Sequence, residues 1–114
     1  MKIINKTQGT TLATQAKIAD TFISRMIGLL NRSSLSPGEG LIITQCQSIH
    51  MLFMRFAIDV IFVNKDNCVV GVVSSIKPFR LSPIYFNSRF AIELPEGTIA
   101  ASKTTLGHQV EIIK

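Results

Sequence analysis

Short runs of β-branched and aromatic residues fill the chain from residue 40 onward, and they restrict its fold more than any other feature. Residues of these types are favoured in strands. The runs are GLIITQC, IHMLFM, IDVIFVN and VVGVVSSI, which begin at residues 40, 49, 58 and 69. The polar segment NKDN (64–67) separates the last two and predicts a hairpin turn. A series of short strands joined by turns is typical of an antiparallel β protein.

The flanking segments add further elements. KIINKT (2–7) and TLATQAKIAD (11–20) predict a strand each and together a hairpin. DTFISRMIGLLNR predicts a helix near residues 20–30, capped by Asp20 or Thr21. After the proline-containing segment KPFRLSPIYFN, we expect a strand in RFAIEL, one helical turn in TIAASK with Thr98 as its cap, and a last strand in QVEII.

These elements predict a mainly β fold in a single domain, 1–114. Seven or eight short strands would form a small antiparallel barrel or sandwich, and the helix near residues 20–30 would plug or cover one side. A chain of 114 residues suits one domain. Its hydrophobic content of 46% and charged content of 17% argue against disorder.

Composition also limits the partners. The net charge of +5 favours an anionic partner, but the basic residues are scattered, which argues against nucleic-acid binding. No apolar run approaches the roughly 20 residues of a membrane span. The start, MKIINKTQGT, lacks the apolar block of a secretory signal, so we expect a cytoplasmic location. The oligomeric state is not predicted.

The two cysteines do not indicate a metal site. Cys46 and Cys68 form no CxxC motif, and no second histidine is well placed beside His50, so we expect no metal and no cofactor. Both thiols suit small buried positions. A disulfide between them is left open.

Charged residues inside the apolar runs are the candidate functional groups. His50, Arg55 and Asp59 lie within the stretch SIHMLFMRFAIDVIFV. Asp59 has three interpretations: a solvated side chain, a buried acceptor for backbone N–H groups or an arginine, or a catalytic acid or base. An extended chain would separate His50 from Asp59 by about 30 Å, so a dyad requires a bend.

Three more charged residues enter apolar runs, namely Arg25, Arg80 and Glu93. Each has a simple interpretation as a solvated or snorkelling side chain. If Arg25, Arg80, Asp59 and Glu93 converge, they would form a polar network or a pocket.

The stretch 25–107 resembles a small bacterial and archaeal family called domain of unknown function 192. The family's motif is similar to I-H-T-x-x-M-R-F-x-I-D-V-x-F, which IHMLFMRFAIDVIF matches in most positions. KPFR and AIELPEG match further elements of the family. Met51 and Ala57 stand where the family usually has threonine and proline, Phe79 replaces a frequent tryptophan, and His108 replaces the usual Gly-Asp. The resemblance implies a compact, mostly β fold and no particular activity, and some relatives look exported.

Three hypotheses follow for a protein whose biochemical function is unknown. The first is a non-enzymatic binding or accessory module with an apolar pocket lined by Met51, Phe53, Phe56 and Phe79. His50, Arg55 and Arg80 would supply donors there for a small anion or a peptide carboxylate. The second is a hydrolase or lyase using His50 with Asp59 or Glu93. The third is a purely structural polar network.

The ligand-binding candidates are therefore a set of six residues, while no residue is assigned a catalytic role. The set comprises His50, Arg55, Asp59, Phe79, Arg80 and Glu93.

Overall fold

The computed structural model describes residues 1–30 and 32–114, with the backbone but not the side chains of Phe22, Ile23 and Met26. The described chain contains eight strands and two short helices. The strands are Lys2–Asn5 (β1), Thr10–Ala13 (β2), Gln15–Ala19 (β3), Glu39–Thr44 (β4), Ile58–Val63 (β5), Val69–Ile76 (β6), Phe90–Pro95 (β7) and Val110–Ile113 (β8). The helices are Phe22–Ile27 (α1) and Thr98–Ser102 (α2).

The strands form two sheets, which confirms the mainly β prediction in its sandwich form. The smaller sheet has the order β2-β1-β8, and the larger has the order β3-β4-β7-β5-β6. All pairings are antiparallel except that of β3 with β4, which is parallel. The sheets do not close into a barrel.

The larger sheet is buried on both faces, because side chains alternate along each strand. On one face, Ile61 and Ile92 of the larger sheet belong to the first core. This core also contains Ile3 of the smaller sheet and Ile99 of α2. On the other face lies a second core, which includes Leu29, Ile43, Met51, Met54, Phe62 and Ala91. Adjacent residues of β5 and β7 therefore face different cores.

Two irregular segments cover the second core, residues 45–57 and 77–88. Met51 and Met54 anchor the first, since both are buried. Tyr85 anchors the second, because its ring packs 4.5 Å from the Phe62 ring and occupies the place where a side chain on Gly71 would stand. Glycine at 71 thus permits the aromatic residue to lie on the sheet.

The helix prediction near residues 20–30 is confirmed over a shorter span. Thr21 caps α1 in a capping box with Ser24, and the helix ends at Gly28, whose φ is +49°. Asn31, within the predicted segment, lies outside the described residues.

Three details of the sequence prediction are wrong. The segment 11–20 is not one strand, because Thr14 and Gln15 both donate to the Gly38 carbonyl and the chain passes from β2 in one sheet to β3 in the other. IHMLFM is not a strand but an irregular segment with one bridge, from His50 to Leu81. Thr98 does not cap α2. Gly97 occupies the N-cap position, and it has no side chain with which to accept a hydrogen bond.

Candidate functional site

Asp59 is a structural acceptor in this fold. Its side chain is 1% exposed. Oδ2 accepts hydrogen bonds from the backbone N–H groups of Gly97 (3.1 Å) and Ile99 (2.9 Å), at the start of α2. Oδ1 accepts from the backbone N–H of Ser75 at 2.8 Å. The carboxylate therefore supplies the α2 cap that no local side chain provides.

The backbone N–H of Ser75 is free to bond to Asp59 because the sheet is irregular at this point. The pairing of β5 with β6 shifts register between Ile58 and Val60, and Ser75 has a φ of +54°. A bulge of this kind leaves a backbone group outside the ladder. Asp59 satisfies that group and so joins β5, β6 and α2 on the face of the first core.

Glu93 lies on the opposite face of the sheet. It is in the central strand β7, opposite Leu41 of β4 and Val60 of β5. Its neighbour Ala91 joins the second core, and Glu93 is 5% exposed. Its Oε1 atom is buried and has no hydrogen-bond partner among the described residues.

The Glu93 side chain lines a cavity of about 110 Å³, here called the Glu93 cavity. α1 and the residues that follow it, β4 and the segment after β4 enclose it. Its other lining residues are Arg25, Ile27, Gly28, Leu29, Leu30, Ile43, Cys46, Ser48, Ile49, His50 and Met54. Most of the wall is apolar.

Burial changes the acid–base properties of two groups in the Glu93 cavity. It raises the pKa of Glu93 to about 7, because removal from water disfavours the charged form. It also raises the pKa of the Cys46 thiol to about 11, with a further contribution from the Glu93 carboxylate. Cys46 therefore stays a thiol near neutral pH and is a poor nucleophile. Cys68 is also a free thiol, so no disulfide joins the two.

The charged groups around Glu93 are few. Arg25 is the cation of the lining, and its Nη1 donates to Gln45 Oε1 at 2.6 Å rather than to Glu93. His50 is exposed and lies at the rim. Of the two carboxylates proposed to work with His50, Glu93 therefore shares a cavity with it, whereas Asp59 points toward the other core and has both oxygens occupied.

The remaining predicted site residues lie in the two irregular segments. Phe79 is 65% exposed, and Arg55 and Arg80 are exposed as well. Backbone hydrogen bonds join the segments: Met51 N–H donates to the Arg80 carbonyl and Phe79 N–H to the Met51 carbonyl, both at 2.8 Å. Met51 is fully buried, so it belongs to the core and does not line an open groove.

The two segments present a set of exposed apolar side chains, here called the aromatic loop surface. It comprises Leu52, Phe53, Phe79, Leu81, Ile84 and Phe86. The Phe53 and Phe79 rings meet edge to face, with centroids 6.5 Å apart. Their φ angles are +65° and +66°, which is uncommon for residues with bulky side chains.

The four residues that could have formed a polar cluster do not converge; they are Arg25, Arg80, Asp59 and Glu93. Arg25 and Glu93 share the Glu93 cavity, Asp59 faces the first core, and Arg80 is exposed. Sequence reasoning missed Cys46 and Gly28 as lining residues, although Gly28 was visible as a glycine inside a helical pattern. Within residues 1–30 and 32–114, no three His, Cys, Asp or Glu side chains are placed to hold a metal ion together.

Comparison with known proteins assigns the family. The profile of DUF192, described as an uncharacterized family, matches residues 3–112. The chain belongs to the DUF192 family. A UPF0127 protein of Pyrococcus furiosus is 34% identical over 115 residues, covering 96% of each chain. A UPF0127 protein of Thermococcus sibiricus is 32% identical, covering 96% of this chain and 73% of its own.

A solved structure agrees with the fold. A protein of unknown function from Novosphingobium aromaticivorans superposes with a TM-score of 0.83 at 20% identity, covering 97% of this chain and 82% of its own. At this identity the likeness concerns the fold alone. The resemblance to DUF192 noted from the motif is thus confirmed, and the descriptions of these relatives indicate no specific activity. No helix in the described part of the chain is long and apolar enough to cross a membrane.

Proposed function

We propose that this DUF192 protein is a non-enzymatic binding module whose aromatic loop surface recognises an acidic peptide segment. The observation that carries the proposal is the pair Phe53 and Phe79, two exposed rings in mutual contact on backbone of positive φ. Such backbone is costly for a non-glycine residue and is found preferentially at ligand-binding positions. Large exposed apolar patches mark interaction sites in soluble proteins.

The charge around the rings favours an anionic partner. Residues 45–57 and 77–89 contain Arg55, Lys77, Arg80 and Arg89, and they contain no aspartate or glutamate. Aromatic residues and arginine are the types that contribute most to binding at interfaces. Arginine also binds carboxylates through two parallel N–H groups.

The surface is also preformed. Hydrogen bonds between the segments continue from Ser82 N–H to the Ile49 carbonyl (2.9 Å) and from Tyr85 N–H to the Gln47 carbonyl (2.8 Å). Because these bonds and the partly buried Tyr85 ring hold the backbone, little conformational entropy remains to be lost when a partner binds.

Fluorescence anisotropy with a labelled peptide of alternating glutamate and phenylalanine tests the proposal. We expect saturable binding that weakens with salt, and little binding of the same peptide with lysine in place of glutamate. An amidated version distinguishes recognition of the terminal carboxylate from recognition of the side chains. Equal binding of the glutamate and lysine peptides would refute the acidic preference.

The double variant F53G/F79G is the decisive comparison. Glycine adopts positive φ at little cost, so the fold should be retained while the rings are lost. We expect at least a tenfold loss of affinity with an unchanged circular dichroism spectrum. R55Q/R80Q should also weaken binding, whereas K2Q/K6Q removes two exposed charges at β1 of the smaller sheet and should have little effect.

A further inference from the structure

A buried carboxylate oxygen without a partner, on a side chain that lines a cavity, is the least explained polar group of the described chain. Buried polar atoms nearly always have a hydrogen-bond partner, and an unsatisfied one lowers stability. Glu93 Oε1 has none among the described residues, although Glu93 is 5% exposed and stands on the central strand. The ionised form of Glu93 therefore lacks a hydrogen-bond donor, and the Glu93 cavity is the space beside it that could hold one.

The size of the Glu93 cavity limits the donor. Its volume of about 110 Å³ is several times the roughly 30 Å³ that one water molecule occupies in the liquid, but far below the 300–1,000 Å³ of drug-sized pockets. It therefore admits a small head group and not a whole cofactor.

The walls indicate the rest of the ligand. Apolar side chains such as Ile43, Ile49 and Met54 line the Glu93 cavity together with the carboxylate, so a bare hydrated ion would lose water against a largely apolar wall. A short alkyl stem would pack against these side chains, and a charged donor at its end would pair with the buried carboxylate.

We propose that the Glu93 cavity binds a primary ammonium group on a short alkyl stem, with Glu93 as its acceptor. The group belongs either to a small free amine or to a lysine side chain of a peptide. This inference does not rest on the aromatic loop surface, because Phe53 and Phe79 do not line the Glu93 cavity.

Binding should be coupled to the loss of one proton from Glu93. Burial keeps the carboxyl protonated up to a pKa of about 7, whereas an ammonium ion requires the carboxylate. The titratable or charged groups that line the Glu93 cavity with it are Arg25 from α1, Cys46 after β4 and His50 at the rim. Arg25 is held by Gln45, and Cys46 stays protonated, so His50 is the group to control for.

Titration calorimetry with ethylammonium chloride tests the proposal, with sodium chloride at equal ionic strength as the blank. About 9% of a group with a pKa near 7 is ionised at pH 6 and about 91% at pH 8, so the affinity should be about tenfold higher at pH 8. In E93Q, binding and its pH dependence should be lost. H50Q should retain the pH dependence, because that dependence arises from Glu93.

If E93Q fails to fold, a carbon-13 NMR titration of the Glu93 carboxyl in the wild-type chain tests the proposal instead. Ethylammonium should lower the apparent pKa of the carboxyl, and sodium should not. N-acetyl-lysine N-methylamide distinguishes the two sources of the group: tighter binding than ethylammonium indicates a lysine side chain, and weaker binding indicates a small free amine.

Several results would overturn the proposal. These are no saturable binding of either probe by the unmodified chain, equal affinity at pH 6 and pH 8, or an unchanged carboxyl pKa in the presence of ethylammonium. F53G/F79G should bind ethylammonium normally, so the loss of peptide binding and the loss of amine binding can be told apart.

Discussion

Asp59 and Glu93 are two buried carboxylates on adjacent strands, yet they have opposite roles in the structure. Asp59 pairs with Leu94 and Glu93 with Val60 in the same β5–β7 ladder, and the two side chains are 1% and 5% exposed. Asp59 accepts three backbone N–H groups, whereas Glu93 Oε1 accepts none among the described residues.

The difference shows that burial alone does not identify a functional carboxylate. Asp59 lies where a bulge and a helix start leave N–H groups free, so its charge is compensated by the protein itself. Glu93 is paired with Val60, the residue after Asp59, so its side chain lies on the opposite face of the sheet. Irregular segments and α1 cover that face, and the residues that line the Glu93 cavity there are mostly apolar. The buried negative charge of Glu93 must therefore be removed by protonation or balanced by a ligand.

Removing the charge from Asp59 should have the largest effect. In D59N the amide group would turn an N–H toward backbone N–H groups, which leaves at least one of them unsatisfied. Hydrogen bonds to a charged group contribute about 1.5–3 kcal/mol each, so we expect a loss of about 4 kcal/mol in the free energy of unfolding. Urea denaturation measures it. D66N, in an exposed turn, should change the free energy of unfolding by less than about 0.5 kcal/mol. Equal effects of the two variants would show that the hydrogen bonds of Asp59 do not stabilise the fold.

The pH dependence of stability should reveal Glu93. The pKa of its carboxyl is raised from 4.5 to about 7 in the folded chain, so the protonated form is favoured by folding. This contribution is fully present below pH 4.5 and is lost as the pH rises to about 7. The difference corresponds to about 3 kcal/mol. We expect the wild-type chain to lose stability over this range by more than E93Q does.

The exposed carboxylate Glu96 provides the control for that titration. E96Q should follow the wild-type pH profile, because Glu96 lies at the surface. A parallel profile for wild type and E93Q would mean that Glu93 is not strained by burial, and the contrast with Asp59 would then disappear.

The smallest effect is expected for a methyl group added at Gly28. Gly28 has a φ of +49°, and a Cβ atom there would stand 3.9 Å from Glu93 Oε1. We expect G28A to cost about 2 kcal/mol of stability, because its φ of +49° and ψ of −120° lie outside the regions that alanine adopts, and to weaken ethylammonium binding in calorimetry.

Gly9 offers a matched control for this substitution. Its φ is +69° and a Cβ atom there would meet no atom within 4 Å. G9A should also lose stability, because its φ is positive, but it should bind ethylammonium like the wild type. If both variants bind equally, the residue at position 28 does not restrict the Glu93 cavity.

Much of the fold was predictable because local patterns and tertiary structure agree. The strands around Val60, Val73 and Ile92, the turn at 64–67 and the cap at Thr21 were all visible in the residues. IHMLFM was mispredicted because its apolar residues are explained equally well by a strand and by an irregular segment. Met51 and Met54 bury themselves in the second core without any ladder.

The candidate site was predictable only in part. The charge pattern pointed to His50, Arg80 and Glu93, but the separation of Asp59 from Glu93 depends on the register of β5 against β7. A one-residue change of register would exchange the faces of a strand, and no local pattern specifies it for strands buried on both sides.

The sequence by itself determined that this chain is mainly β, because segments of β-branched residues and turn residues act over short distances. Its motif IHMLFMRFAIDVIF also indicated the DUF192 family. Only the tertiary structure decided which buried carboxylate is satisfied, because the partners of Asp59 are backbone groups 16 to 40 residues away. It also decided that residues 45–57 and 77–88 pair to expose Phe53 and Phe79 on one surface. Such contacts depend on how distant segments meet in space, which the composition of either segment does not specify.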